Sequence, residues 1–249
     1  MTTREATRLL PRAADAAVIG DYARSLSDRA AVIAFGAIQW PWLLRSLHGG
    51  TLEQKEALLD RLQLPDDALP YLGSWKADTG LLKLLVDHIE RERPRLVVEF
   101  GTGASTLVLA RALQRNGGGT LISFEQHADF VEATRKWLAE HGLKADLRVA
   151  PLGAPSEGWP GLWYDHGPLP NGIDLMLIDG PCWAIHPFTR GSAVALFDQI
   201  APGGTVMLDD AARPGERLVA RRWRKLRPDF EFRLDKTGTK GTLIGRRVG

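Results

Sequence analysis

From residue 96 onward the chain alternates short apolar runs with helix-compatible stretches, and this alternation constrains its fold more than any other feature. The apolar runs fall at 96–100, 120–124, 146–150, 173–178 and 205–208, with helical spacing at 105–114, 128–141 and 189–200 between them. Strands that are apolar on both faces belong to a sheet covered by helices on both sides, and parallel neighbours need a crossover of helix length. A basic helix over 215–226 follows, and then two strands at 230–234 and 242–246 around a Thr- and Gly-rich turn. So short a connection allows only an antiparallel pair. The expected fold is therefore α/β: a Rossmann-like sheet of seven strands whose last strand is antiparallel.

The first quarter reads differently. Residues 13–26, 30–47 and 51–62 have helical spacing, Gly49-Gly50 breaks the chain, and Pro65, Pro70 and Gly73 mark a linker before an amphipathic helix over 80–90. We expect a helical extension over 1–72 and an α/β domain over 73–249. The apolar run 30–44, interrupted by Gln39 and Pro41, is too short to span a bilayer and reads as a buried helix, with a dimer contact or, given Trp40 and Trp42, a membrane-surface helix as the alternatives. Its apolar character also makes a homodimer reasonable. Residues 1–17 carry Arg4, Arg8 and Arg12 without the apolar stretch of a secretory signal. Cys182 is the only cysteine, which rules out an intrachain disulfide and a cysteine-based zinc site and suggests a reduced, cytoplasmic setting. A net charge of +2 gives no excess of basic residues, so nucleic acid is not the expected partner. The local run Arg221-Arg222-Trp223-Arg224-Lys225 is read as a solvated helix face with Leu218, Val219, Trp223 and Leu226 as its buried stripe.

Residues 97–106, Val-Val-Glu-Phe-Gly-Thr-Gly-Ala-Ser-Thr, run from a strand through a glycine turn into a helix. Gly101 and Gly103 let backbone approach a ligand, and the amides of the helix start favour an anionic group. A plain strand-to-helix turn would look the same. Glu125 stands after the second strand, where a carboxylate can accept from both hydroxyls of an adenosine ribose; a solvated loop acid is the alternative. Gln126, Ala150, Pro151 and Leu152 are then neighbours of an adenine. A dinucleotide fingerprint would need glycine where Thr106 stands, which disfavours an NAD-dependent oxidoreductase.

Together with ISFEQ, DLMLIDGP and APGGTVMLDDA, each in order and each at a strand's carboxyl end, these residues resemble the class I methyltransferases, specifically the bacterial branch related to catechol-type O-methyltransferases. The resemblance covers residues 75–247. It implies S-adenosylmethionine as cofactor, with Glu99 near the methionine amino group, Gly101, Thr102 and Gly103 along the methionyl and ribose portion, Glu125 on the ribose, Ser105 and Thr106 toward the methionine carboxylate, Gln126 and Pro151 near the adenine, and Asp179 also among the cofactor-binding residues. Ser74-Trp75-Lys76 matches the stretch that lids the cofactor in related proteins. The implied reaction is methylation of a small-molecule acceptor, with oxygen the favoured acceptor atom. A noncatalytic binding protein on the same fold is the alternative.

Proton removal from an oxygen nucleophile needs a base at the ends of the fourth and fifth strands. Asp179, Asp209 and Asp210 lie there and match the positions that hold a divalent ion such as Mg2+ in the catechol-type family. The chain departs from that family at Gly180-Pro181-Cys182-Trp183, where metal-dependent members continue with polar residues. Three readings stay open: a magnesium-type site on Asp179, Asp209 and Asp210; a metal-free site with Asp179 or His186 as base; and acids that cap the next helix. Trp159, Trp163 and Tyr164 either line an aromatic pocket or pack beneath the long loop that carries them.

Overall fold

The computed structural model describes residues 25–249. The helix expected over 13–26 lies almost wholly outside them. Among the described residues four helices precede the sheet: α1 (Leu26–Ile38), α2 (Trp40–Ser46), α3 (Leu52–Leu62) and α4 (Thr79–Glu92). The Ser25 hydroxyl caps α1 by accepting from the Asp28 N–H, and Thr51 with Gln54 forms a reciprocal capping box on α3. Gln39 and Pro41 divide α1 from α2, because proline cannot supply the amide a continuing helix needs.

The expectation of a buried helix over 30–44 is corrected here. No residue of α1 is buried, and Leu26, Ile33, Ile38, Trp40 and Leu44 are exposed. The apolar residues of α1 surround it instead of forming one stripe, so packing on the domain can cover only one edge. That edge holds Phe35, edge-on to Phe188 at 5.0 Å, and Gly36, which abuts Trp183.

The sheet elements follow as β1 (Leu96–Phe100), α5 (Ala104–Arg115), β2 (Thr120–Glu125), α6 (Ala128–Glu140), β3 (Asp146–Val149), β4 (Leu152–Gly153), β5 (Trp163–Tyr164), β6 (Ile173–Ile178), a 3-10 helix (Thr189–Gln199), β7 (Ile200–Leu208), α7 (Pro214–Leu226), β8 (Phe230–Asp235) and β9 (Thr242–Arg247). Strand order is β3-β2-β1-β6-β7-β9-β8. The first five run parallel, and β9 inserts antiparallel to both β7 and β8. The seven-stranded fold is thus as the sequence implied. Several limits move: β2 includes Glu125, β3 stops at Val149, and β7 begins at Ile200. Residues 189–199 wind as 3-10 turns where a helix was expected, since Thr189, Gly191 and Ser192 are poor α-formers. The short β4–β5 hairpin was not anticipated.

Each face of the sheet carries one apolar layer. Val97, Leu121, Leu147, Leu175, Leu177 and Met207 pack under α4, α5 and α6, and Leu58, Leu59, Leu62 and Leu69 continue the same cluster into the N-terminal region. The expected boundary between 72 and 73 therefore crosses continuous packing; the Trp137 indole N–H donates to the Ala68 carbonyl across it. On the other face Val98, Phe100, Phe124, Met176, Ile178 and Leu208 pack against the 3-10 helix and α7, whose Trp223 is fully buried. Trp159, Trp163 and Tyr164 belong to this second layer, which favours the packing reading of the long loop. Among the described residues no helix is long and apolar enough to cross a membrane.

Candidate active site

Strand order reverses between β1 and β6, and ligands of open α/β sheets bind at such a point, beyond the carboxyl ends of the strands. Side chains alternate across a strand, so Glu99 on β1 and Ser123 and Glu125 on β2 lie on the face covered by α5. Glu99 and Ser123 are in register, and the Ser123 hydroxyl donates to Glu99 Oε2 at 2.6 Å. The Thr106 hydroxyl donates to the same oxygen at 2.6 Å while accepting from the Gly103 N–H at 2.8 Å. The Thr106 hydroxyl is thus turned back into the protein, leaving the amides at the start of α5 as groups available to an anion.

Glu99 Oε1, in contrast, is buried and has no partner, and Thr102 Oγ1 beside it is also unpartnered. Among the described residues no cation is paired with Glu99. Burial pushes its carboxyl up to about 7 against the opposing effect of Ser105, Ser123 and Thr106. Glu125 is likewise raised to about 7 by burial, opposed by backbone N–H groups of His127, Gln126 and Thr102. The two glycines of the turn do different work. A Cβ on Gly101, whose φ is +102°, would stand 2.8 Å from the Gly180 backbone nitrogen, so this glycine brings the β1 tip against the β6 tip. A Cβ on Gly103 would meet nothing within 4 Å, which makes Gly103 the residue facing open space. Gln126 and Pro151 follow the tips of β2 and β3, and the Pro151 carbonyl accepts from Asp165 N–H at 2.8 Å. Beneath the tips, Phe100 and Phe124 stack at 5.3 Å, with His166 edge-on to both at 5.6 and 5.8 Å.

The β6 and β7 tips differ in kind. Asp179, Asp209 and Asp210 converge, with one oxygen from each lying within 4.8 Å of the others. Buried cations already stand among them. Arg190 reaches Asp210 at 3.1 Å and Asp179 at 3.5 Å, and it also donates to the backbone carbonyls of Asp179, Pro181 and Asp209. Arg213 meets Asp210 at 2.8 Å, and Lys240 meets Asp209 at 3.3 Å and Asp210 at 3.5 Å. Despite its burial, Asp210 is held down to about 2 by Arg213, Lys240 and Arg190. Its neighbour Asp209 is pushed up by burial, which Lys240 opposes. Asp179 is the least buried of the three side chains, at 13% exposure against 0% and 3%.

His186 does not join this group. Its Nδ1 accepts from the Phe188 N–H at 3.1 Å, and its Nε2 lies 4.0 Å from Asp28 on α1. Sequence reasoning missed Arg190, Arg213, Lys240 and Asp78. Asp78 caps α4 and also accepts from Thr239 N–H, the Thr239 hydroxyl and Lys240 N–H, tying the β8–β9 turn beneath the β7 tip. The pair Asp209-Asp210 hinted at compensating cations, but nothing local singled out Lys240 from 31 residues away. The basic run on α7 is spent partly on packing: Arg222 lies over the Trp159 ring at 4.3 Å and Arg224 over Phe232 at 6.0 Å.

A family model described as a methyltransferase domain matches residues 98–211, from β1 through the Asp209-Asp210 pair. No curated protein matches the sequence. Among solved structures, this chain is similar to a methyltransferase from Geobacter sulfurreducens (19% identity, 78% of this chain and 86% of that one, TM-score 0.54). It is also similar to the O-methyltransferase TomG from Streptomyces achromogenes, solved with S-adenosylmethionine (20% identity, 80% and 89%, TM-score 0.53). A third is the O-methyltransferase from Bacillus cereus, solved with SAH (16% identity, 87% and 99%, TM-score 0.53). At these identities the likeness is one of fold.

Proposed function

We propose that this chain is an S-adenosylmethionine-dependent methyltransferase that methylates an oxygen of a small-molecule acceptor. One observation carries the cofactor assignment: Glu99 presents a buried, unpartnered carboxylate oxygen near the glycine turn, where Gly103 opens on free space. A buried carboxylate without a donor is costly, and a ligand ammonium is the group that relieves it. Glu125 would take the ribose hydroxyls, the α5 amides the methionine carboxylate, and Gln126 and Pro151 would flank the adenine. When bound, the cofactor supplies a methyl group on an electrophilic sulfonium.

The chain's part in the reaction is alignment and proton removal. Asp179, the most accessible acid of the strand-end cluster, is the group we assign to accept the acceptor's proton. Asp209 and Asp210 are buried behind it. Oxygen donors suit a hard cation such as Mg2+ in chemistry, but the charge position among these three acids is taken by Lys240, Arg190 and Arg213. No step is therefore assigned to a metal. The exposed apolar residues of α1 fit a homodimer packed through that helix, which sedimentation would detect, and the single cysteine agrees with a cytoplasmic setting.

Calorimetric titration of S-adenosylmethionine and of its demethylated product tests the cofactor assignment. Binding of both is expected, with loss on Glu125→Ala of about 1–3 kcal/mol. Failure of the wild type to bind either would overturn it.

A further inference from the structure

The acids at the β6 and β7 tips form the arrangement a divalent ion would seek, yet three cationic side chains of the chain itself stand within ion-pair distance of them. We propose that the Lys240 ammonium, supported by Arg190 and Arg213, is the resident cation of this strand-end cluster and that the acceptor site works without a divalent metal ion. The inference deepens the methyltransferase reading for the acceptor half, but its central measurement does not depend on cofactor binding.

Three features support residence over chance pairing. Lys240 is buried to 2% side-chain exposure and lies between two acids, 3.3 Å from Asp209 and 3.5 Å from Asp210. Its backbone is pinned as well: the Lys240 N–H donates to Asp78 at 3.1 Å, Thr239 donates twice to the same carboxylate, and the Lys240 carbonyl accepts from the Ala212 N–H at 3.0 Å. Arg190 crosses the mouth of the cluster with five hydrogen bonds or ion pairs, to the carboxylates of Asp179 and Asp210 and to the carbonyls of Asp179, Pro181 and Asp209. A divalent ion entering here would have to bring its charge within a few ångströms of buried like charges, and displacing them would leave ammonium and guanidinium groups buried without partners.

The consequence for the acceptor follows. Vicinal hydroxyls are needed where a metal must be chelated, whereas a site with a fixed ammonium and an accessible Asp179 needs one ionisable hydroxyl. Lys240 is a positioning residue in this scheme, since it acts through Asp209 and Asp210.

Paramagnetic resonance of Mn2+ added to the full-length protein tests the inference directly. The wild type is expected to leave the free-ion signal unchanged at millimolar Mn2+, and methylation of a phenol is expected to be indifferent to a chelator. Lys240→Ala removes the resident charge and should bind Mn2+ at least about tenfold more tightly than the wild type, while Lys240→Arg should not. That gain is a readout a merely structural lysine would not produce. Tight Mn2+ binding by the wild type, abolished by Asp209→Asn, overturns the proposal without any variant at Lys240 needing to fold. A folded Lys240→Ala that still ignores Mn2+ overturns the assignment of Lys240 as occupant. Loss of S-adenosylmethionine binding in the wild type would instead sink the methyltransferase reading and leave the Mn2+ result standing.

Discussion

The two halves of the strand-end crevice bury acids in opposite ways. At the β1 and β2 tips, Glu99 and Glu125 are held, among the described residues, by hydroxyls and backbone N–H groups and by no cation, and both are raised to about 7. At the β6 and β7 tips, Asp210 lies among Arg190, Arg213 and Lys240 and is lowered to about 2. A buried acid without a cation is a site waiting for a positive or hydrogen-bond-donating ligand. A buried acid surrounded by cations belongs to the frame. On the reading proposed above, the contrast sets acids open to a ligand apart from acids already paired within the fold.

The sharpest test of this contrast removes one charge from each half. Asp210→Asn leaves Arg190, Arg213 and Lys240 without their shared partner, and unfolding in denaturant is expected to show a loss of about 3–5 kcal/mol. Glu99→Gln should do the opposite to the free protein, since it deletes an unpaired buried charge; at pH 8 its melting temperature is expected to match or exceed the wild type. Its cost appears in binding instead, as a loss of about 1.5–3 kcal/mol in affinity for S-adenosylmethionine. If Glu99→Gln destabilised the free protein as much as Asp210→Asn, the two halves would be alike and the comparison would fail.

The same contrast predicts opposite responses to pH. Glu99 and Glu125 have folded values near 7 against the ordinary carboxyl value of 4.5, so the folded state holds more protons between those limits. Their contribution to stability is fully present below pH 4.5 and is lost as the pH rises through 7. Asp210, lowered to about 2 from 3.8, contributes stability above pH 3.8 that disappears as the pH falls through 2. Binding follows from the first pair: a ligand ammonium prefers ionised Glu99, so below pH 7 its uptake must expel a proton. Affinity for S-adenosylmethionine is expected to fall about fivefold between pH 7 and pH 6 in the wild type, and the slope should shrink in Glu99→Gln. An unchanged slope in that variant would assign the proton elsewhere.

Much of the first half could be read from the sequence, and little of the second. Glu99, Gly103 and Glu125 lie within or beside strands whose apolar runs are unmistakable, and the alternation of side chains places them on one face before any coordinates exist. Local sequence cannot show what a side chain meets from distant elements. Arg190 comes from a 3-10 segment and Lys240 from a turn beyond two further elements, so the cations that decide the role of Asp209 and Asp210 are set by tertiary packing. The same limit explains His186. Its position in the loop after β6 suggested a base; in the fold its Nδ1 accepts from the Phe188 N–H and its Nε2 lies 4.0 Å from Asp28 on α1. It also explains α1, whose composition spoke for burial while the domain offers it a single edge.

The smallest expected effect separates two residues that look equivalent in the motif. Gly101→Ala must place a Cβ 2.8 Å from the Gly180 nitrogen in a backbone with φ of +102°, so strain and overlap should destabilise the fold by at least about 1 kcal/mol. Gly103 is extended, with φ of 162°, and a Cβ there meets nothing within 4 Å. Gly103→Ala should therefore leave the denaturation midpoint nearly unchanged, within about 0.5 kcal/mol, and weaken S-adenosylmethionine binding several-fold because the new methyl group enters the ligand's space. A Gly103→Ala protein that binds as tightly as the wild type would move the ligand away from the β1 tip, and with it the reason for the open space there.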